Sequence, residues 1–234
     1  MARSLALGLG EPALYSDSGS GRAQDLASAT GGEAVSVATV FERADVVLLC
    51  HKPAQLEAVA AAGREHAGVV VSALAATSLN ALRAAYPRAR VVRTMPNIPV
   101  ELGRGVLAVA AQSDHVPELE SLLRRLGLVI SLPEEQFGIA TAIGGCAPAF
   151  FALFAQELVG AAVRRGMDAA DAERIVMQTL EGTAATLAAD GVDTGSLIAA
   201  VASPGGLTER ALGSFAAAGL GAAVDGAVAT VLGE

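Results

Sequence analysis

Four stretches of this chain carry residues with chemical capacity. The first is Ser203-Pro204-Gly205-Gly206-Leu207-Thr208. Pro204 fixes its own φ and pushes Ser203 towards an extended backbone. Gly205 and Gly206 permit a turn with positive φ and let a ligand approach the main chain closely. Glu209-Arg210-Ala211-Leu212 then reads as a helix start. A glycine turn entering a helix offers free N–H groups and a positive dipole end, which together suit a carboxylate. The plainer alternative is that Thr208 only N-caps the helix.

The other three stretches follow apolar runs. Val46 to Cys50, Val69 to Ser72 and Val91 to Arg93 have the near-continuous β-branched character of strands buried on both faces of a parallel sheet. In an open α/β sheet, ligands bind beyond the C-terminal strand ends. The first run exits through Cys50-His51-Lys52-Pro53, where the chain's only lysine stands beside a proline. The second exits through Ser72-Ala73-Leu74-Ala75. The third continues as Thr94-Met95-Pro96-Asn97-Ile98-Pro99, where two prolines bracket an Asn whose amide can both donate and accept. Any one of these is an ordinary strand exit; three together argue for a site.

The surrounding pattern must position these groups. Helices are expected over 2–9, 22–30, 54–62, 79–85 and 117–126. Further strands are expected at 13–16, 35–37, 106–110 and 128–132. This alternation predicts an α/β fold, a Rossmann-like doubly wound parallel sheet, over residues 1–132. After Pro133 no strand is expected. Residues 149–165 are apolar on nearly every face, and in a domain of about 100 residues the natural cover for such a helix is a second copy. Asp168 starts the next helix and Gly191 ends it. Residues 133–234 therefore read as an all-helical dimerisation domain. Gly8-Leu9-Gly10 precedes a strand, the wrong context for a pyrophosphate loop. Gly19-Ser20-Gly21 follows a strand but lacks the third glycine. It reads better as the site of adenosine ribose recognition, where Asp17 suits a diol (NAD) and Ser18, Ser20 and Arg22 suit a 2′-phosphate (NADP).

Composition narrows the function classes. A formal charge of −8 over 234 residues argues against nucleic acid or an anionic membrane as partner. With 53% hydrophobic but only 3% aromatic residues, the core must be built from Ala, Val and Leu. Cys50 and Cys146 read as free thiols in a reducing compartment. His51, His66 and His115 have no metal-ligand spacing. Apolar stretches are broken by Gly, Pro or charge within about 20 residues, so no membrane span is expected. The first residues are too short an apolar run for a signal peptide, and the chain reads as cytoplasmic.

Taken in order, these segments resemble the pyrroline-5-carboxylate reductase family. Cys50-His51-Lys52-Pro53 stands where the family has Ala-Val-Lys-Pro, and Arg93-Thr94-Met95-Pro96-Asn97 resembles its Arg-x-Met-Pro-Asn segment. Thr141-Ala142-Ile143-Gly144-Gly145-Cys146-Ala147-Pro148-Ala149-Phe150 resembles Thr-Ala-x-Ser-Gly-Ser-Gly-Pro-Ala-Tyr. Gln178-Thr179 to Gly182 and the Ser203–Thr208 loop complete the set. The resemblance implies a Rossmann domain, a helical dimerisation domain forming a homodimer, and reduction of a cyclic imino acid with NADP or NAD as cofactor. It places Cys50, His51, Lys52, Pro53, Ser72, Ala73, Met95, Pro96 and Asn97 on the nicotinamide side. It assigns Ser203, Gly205, Gly206, Leu207 and Thr208 to the substrate, with Thr208 near the imine nitrogen and Glu134 as an acidic residue nearby.

Three departures stand out. Gly144-Gly145-Cys146-Ala147 replaces Ser-Gly-Ser-Gly, and Ala200 stands where the family often has Asn. The family also opens with a strand and Gly-x-Gly-x-Met, and this chain begins at what resembles that Met. The expectation is either a start upstream of Met1 or direct pairing of the strands at 13–16 and 46–50. Competing readings are a catalytically weak dimeric binding protein and a reductase of another cyclic imino acid.

Overall fold

The computed structural model describes all residues, Met1–Glu234, as two compact units, Met1–Cys146 and Ala147–Glu234. The first unit opens with α1 (Ala2–Leu9), β1 (Leu14–Tyr15), α2 (Arg22–Thr30), β2 (Glu33–Ala34) and α3 (Val37–Arg43). It continues with β3 (Val46–Leu49), α4 (Leu56–Gly63), β4 (Val69–Ser72), α5 (Leu79–Ala85) and β5 (Arg90–Pro96). Then come β6 (Gly105–Ala110), α6 (Pro117–Arg124), β7 (Gly127–Leu132) and the short α7 (Phe137–Ala140), which runs into a π-helical turn, Thr141–Cys146. The expected strand at 35–37 is displaced. The strand lies two residues earlier, at Glu33–Ala34, and Val37 enters α3 instead, because the Ser36 hydroxyl accepts from the Thr39 N–H and caps that helix.

The main sheet has the order β3-β4-β5-β6-β7. The pairs β3–β4 and β4–β5 are parallel, β5–β6 is antiparallel and β6–β7 is parallel. The sheet is thus mainly parallel, with its last two strands reversed. The link from β5 to β6 is a short 3₁₀ turn, Ile98–Leu102, with no crossover helix, so the chain must return antiparallel. β4 is buried at every position, as its Val-Val-Val-Ser sequence demands. One face of the sheet packs Val69, Val71, Val92 and Leu107 against Leu5 and the α6 leucines. The other packs Val47, Leu49, Val70 and Val91 against Phe41, Leu79, Leu82 and Tyr86. A third cluster sets Phe137 and Ala140 of α7 on Ala108 and Ala110 of β6.

β1 and β2 form a separate two-stranded parallel sheet, and β3 is an edge of the main sheet. The two strands expected at 13–16 and 46–50 therefore do not pair with each other.

The second unit is helical throughout: α8 (Ala147–Val163), α9 (Ala169–Leu187), α10 (Thr194–Val201), α11 (Leu207–Ala217) and α12 (Leu220–Leu232). The Asp168 carboxylate accepts from the Ala170 and Asp171 N–H groups and caps α9 as expected. That helix stops at Leu187, before Gly191. The expectation that Gly and Pro would break every long apolar stretch is corrected. Helix runs from Glu134 to Val163, 30 residues, with a window of mean hydropathy 1.8, long and apolar enough by length and composition to cross a membrane. Gly144 and Gly145 are absorbed in the π turn, and Pro148 lies in the first turn of α8, where a missing N–H is tolerated.

Candidate active site

β3, β4 and β5 are adjacent and parallel, so their C-terminal ends share one rim of the sheet. At the first end, burial pushes the Cys50 thiol up to about 11, so it stays protonated at neutral pH. His51 Nδ1 lies 2.9 Å from the Lys52 carbonyl, while His51 Nε2 is sealed from solvent with no partner. Lys52 holds an extended conformation before Pro53, and its ammonium makes no ion pair. Pro53 starts a 3₁₀ turn, where its missing N–H costs nothing.

At the second end the Ser72 side chain is turned inwards. It is fully buried, and its hydroxyl accepts from the Leu74 N–H at 3.2 Å while its carbonyl accepts from the Thr94 hydroxyl. Ser72 therefore shapes the exit, and what it and Ala73 leave for a ligand is backbone. Ala76, just beyond, is the only non-glycine residue with positive φ, at 51°.

The third end is the most constrained. Asn97 does use both halves of its amide, but within the protein. Oδ1 accepts from the Val106 N–H at 2.8 Å, and Nδ2 donates to the Gly144 carbonyl at 3.0 Å. The sequence explains the second bond. Residue 148 is proline and has no N–H to give the carbonyl four residues earlier, so Gly144 needs another donor. Asn97 thus ties the end of β5 to the start of β6 and to the π turn. The glycines of that turn face Met95: a Cβ on Gly145 would come 3.3 Å from the Met95 sulfur, and one on Gly144 would sit 3.5 Å from its methyl.

Arg93 and Glu134 fasten the same strand lower down. The Arg93 guanidinium pairs with the Glu134 carboxylate and lies 4.6 Å over the Phe137 ring. The same carboxylate accepts from the Leu79 N–H at 2.6 Å, in the first turn of α5. Burial pushes the Glu134 pKa up, but the Leu79 N–H and Arg93 outweigh it and hold the group below the usual carboxylate range. Glu134, read from the resemblance as a residue near the substrate, is in the structure an ionised group that fixes β5, α5 and α7 together. Arg93 and Gly144 were not among the site residues read from the sequence; Pro148 was the available signal for the second.

The loop after β1 is also internally committed. Asp17 Oδ1 accepts from the Gly19 and Ser20 N–H groups, and Oδ2 accepts from the Ser20 hydroxyl and the Ala23 N–H. These bonds, chiefly those from Ala23 and Ser20, hold the carboxylate down to about 2. Both oxygens face the N-terminus of α2, so the diol-binding role for Asp17 does not match its observed partners. Ser18 is exposed, and Arg22 makes no ion pair.

In the helical unit, Ser203–Thr208 forms the expected turn into a helix. Gly205 has φ 70°, and its N–H donates to the Glu209 carboxylate at 2.8 Å. A Cβ on Gly206 would meet the Ser203 carbonyl oxygen at 2.8 Å, so the close turn requires glycine there. The capping reading of Thr208 is corrected: Gly206 is the N-cap and α11 begins at Leu207. Thr208 is the second helical residue, and its hydroxyl has no protein partner. The N–H groups of Leu207 and Thr208 likewise lack protein acceptors.

A mainly parallel sheet wound on both faces, with polar groups gathered at adjacent strand ends, is a fold of the Rossmann class. Residues 1–76 match the family described as NADP oxidoreductase, coenzyme F420-dependent, and residues 134–233 match pyrroline-5-carboxylate reductase dimerisation. The chain is 34% identical over 211 residues to the pyrroline-5-carboxylate reductase of Treponema pallidum, covering 86% of this chain and 80% of that one. It is 33% identical over 238 residues to that of Mycobacterium tuberculosis H37Rv, covering 88% and 81%. It spans 64% of the length of the Synechocystis relative, at 32% identity over 170 residues covering 70% of this chain. A crystal structure of 1-pyrroline-5-carboxylate reductase from Streptococcus pyogenes superposes with TM-score 0.84 at 26% identity, covering 99% of this chain and 92% of that one. This chain belongs to the pyrroline-5-carboxylate reductase family. It carries that family's dimerisation region over residues 134–233.

Proposed function

We propose that this chain reduces the cyclic imine pyrroline-5-carboxylate to proline with NAD(P)H, as a homodimer. The observation that carries the reading is the Thr208 hydroxyl, free of protein partners at a helix start whose first N–H groups are also free, in a chain one-third identical to named reductases. Polar capacity is likewise uncommitted at the end of β3, where His51 Nε2 is buried without a partner and the Lys52 ammonium is unpaired. That fits a polar, anionic dinucleotide. Lys52, Pro53, Ala73, Met95 and Pro96 would hold its nicotinamide side, with Ser72 and Asn97 fixing the backbone beneath. The bound cofactor would supply a hydride to the imine carbon.

The chain's own groups do the rest. The N–H groups of Leu207 and Thr208 receive the substrate carboxylate at the positive end of α11. The Thr208 hydroxyl accepts from the protonated imine nitrogen and keeps the proton there, which makes the adjacent carbon more electrophilic. Orientation and hydrogen bonding suffice, and no strong base is required. On the adenosine side, Asp17 is turned into its own loop, leaving Ser18 and Arg22 outward, which supports NADP over NAD.

The test is proline-dependent NAD(P)⁺ reduction at high pH, run with both cofactors. Cofactor binding without turnover would instead support a dimeric binding protein. Preferential turnover of six-membered imines would move the substrate assignment.

A further inference from the structure

Met95 is enclosed by named neighbours on all but one flank. It stands opposite Ala108 in the antiparallel β5–β6 pair. Its side chain packs against the cluster of Ala108, Ala110, Phe137 and Ala140. The π turn lies against it as well: a Cβ on Gly145 would come 3.3 Å from its sulfur, and one on Gly144 would sit 3.5 Å from its methyl. The Asn97 amide donates to the Gly144 carbonyl at 3.0 Å, which ties the glycines to the end of β5 and keeps the turn from receding. The remaining flank has no strand beside it. The β4–β5 ladder ends where Ser72 stands opposite Arg93, so β5 runs on past β4 and Met95 has no neighbour in that strand. Met95 is half-buried, and its free flank is the rim beyond the strand ends, where an open α/β sheet takes its ligand.

The two glycines differ in what they give Met95. A Cβ at Gly144 would be in ordinary van der Waals contact, whereas one at Gly145 would force its neighbour to yield by a few tenths of an ångström. Gly145 has no positive φ, so the room it leaves, and not its backbone freedom, is what it supplies. A methionine side chain is flexible enough to yield. With β6, α7 and the turn occupied, the sulfur yields towards the rim. We propose that Met95 sets which imine ring the site accepts, and that Gly145 sets how far Met95 reaches into it. This rests on the reading that puts Met95 on the nicotinamide side of a cyclic-imine reductase. Five- and six-membered rings differ by one methylene, and in an apolar pocket one methylene changes kcat/KM by about ten- to two-hundredfold. A shift of the sulfur by a few tenths of an ångström acts on that margin.

The test reads Met95 with and without catalysis. The chain has four methionines, so methyl-¹³C-methionine labelling gives four NMR signals, and Met95→Leu identifies the one in question. In the ligand-free protein Gly145→Ala should shift that signal, and Gly144→Ala should shift it less. NADP⁺ should shift it in the wild type. In steady-state assays, the ratio of kcat/KM for pyrroline-5-carboxylate over its six-membered homologue should rise about tenfold in Gly145→Ala and fall about tenfold in Met95→Ala. An unchanged ratio in both variants, while the wild type reduces pyrroline-5-carboxylate and NADP⁺ moves the signal, overturns the proposal and leaves the reductase reading intact. A larger shift for Gly144→Ala than for Gly145→Ala also overturns it. A Met95 signal that stays in place when NADP⁺ binds removes Met95 from the nicotinamide side, and the proposal with it. No turnover of either imine by the wild type overturns the reductase reading itself, and the proposal falls with it.

Discussion

Thr208 sits two residues past the N-cap, and this separates its two possible roles. A cap lost to alanine costs about 1 kcal/mol of stability with activity intact. Here Gly206 already caps α11 and the Thr208 hydroxyl bonds to nothing in the protein. Thr208→Ala should therefore leave the melting temperature unchanged and lower kcat/KM about ten- to a hundredfold, the worth of one hydrogen bond to a charged group. Measuring both quantities on one preparation decides it. Asp17 behaves in the opposite way, as a group that serves the fold. Its pKa is lowered from 3.8 to about 2. The stability it contributes is complete above the unfolded value and is lost as pH falls through the folded one. Urea midpoints should drop as pH falls from about 4 to 2, and Asp17→Asn should flatten that drop. An identical acid limb in the variant would place the titration elsewhere.

At the scale of elements, β5 is the member on which the rim depends. It pairs with β4 over Arg90–Arg93 and with β6 over Thr94–Pro96, changing partner where the site begins. Glu134 and Phe137 hold it through Arg93, the glycines of the π turn hold it through Met95, and the Gly144 carbonyl holds it through Asn97. Glu134→Gln keeps an oxygen for the Leu79 N–H but leaves the Arg93 charge unpaired. With side chains 12% and 26% exposed, the pair lies between the surface and buried cases, so the loss should be about 1–3 kcal/mol. Its folded pKa is lowered, so this contribution is also present above the unfolded pKa and fades as pH falls. Chemical denaturation of wild type and variant at neutral pH checks the size, and convergence of the two in acid checks the sign.

At the scale of the whole molecule, the helical unit leaves much apolar surface open to water. Phe151, Leu153, Ile175, Ile198, Val201 and Val224 are each more than half exposed. An aliphatic side chain moved from water into a packed interface gains about 1.5–3 kcal/mol, so a second copy has ample surface to bind. Light scattering at micromolar concentration should give at least a dimer; a monodisperse monomer would contradict this.

Much of this was legible in the sequence because it depends on short-range rules. The runs at 46–50 and 69–72 read as strands because both are short and apolar; 69–72 is buried at every position, whereas 46–49, on the sheet edge, alternates between half-buried and buried. The Ser203–Thr208 turn is legible because proline and glycine restrict or free φ wherever they stand. The apolar helix after Pro148 advertises its need for cover through composition alone. Other features belong to the tertiary structure. Asn97 was correctly read as a residue that donates and accepts, but its partners, Val106 and Gly144, lie 9 and 47 residues away. Asp17 was read as facing a ligand, and in the structure its carboxylate accepts four hydrogen bonds, three from the loop at Gly19 and Ser20 and one from Ala23 in α2. The reversal of β6 and β7 followed from the length of one connection rather than from any strand's own residues. Local sequence determines which conformations and bonds a residue is able to adopt. Which partner takes each bond is a competition between groups distant along the chain, and only the folded arrangement decides it.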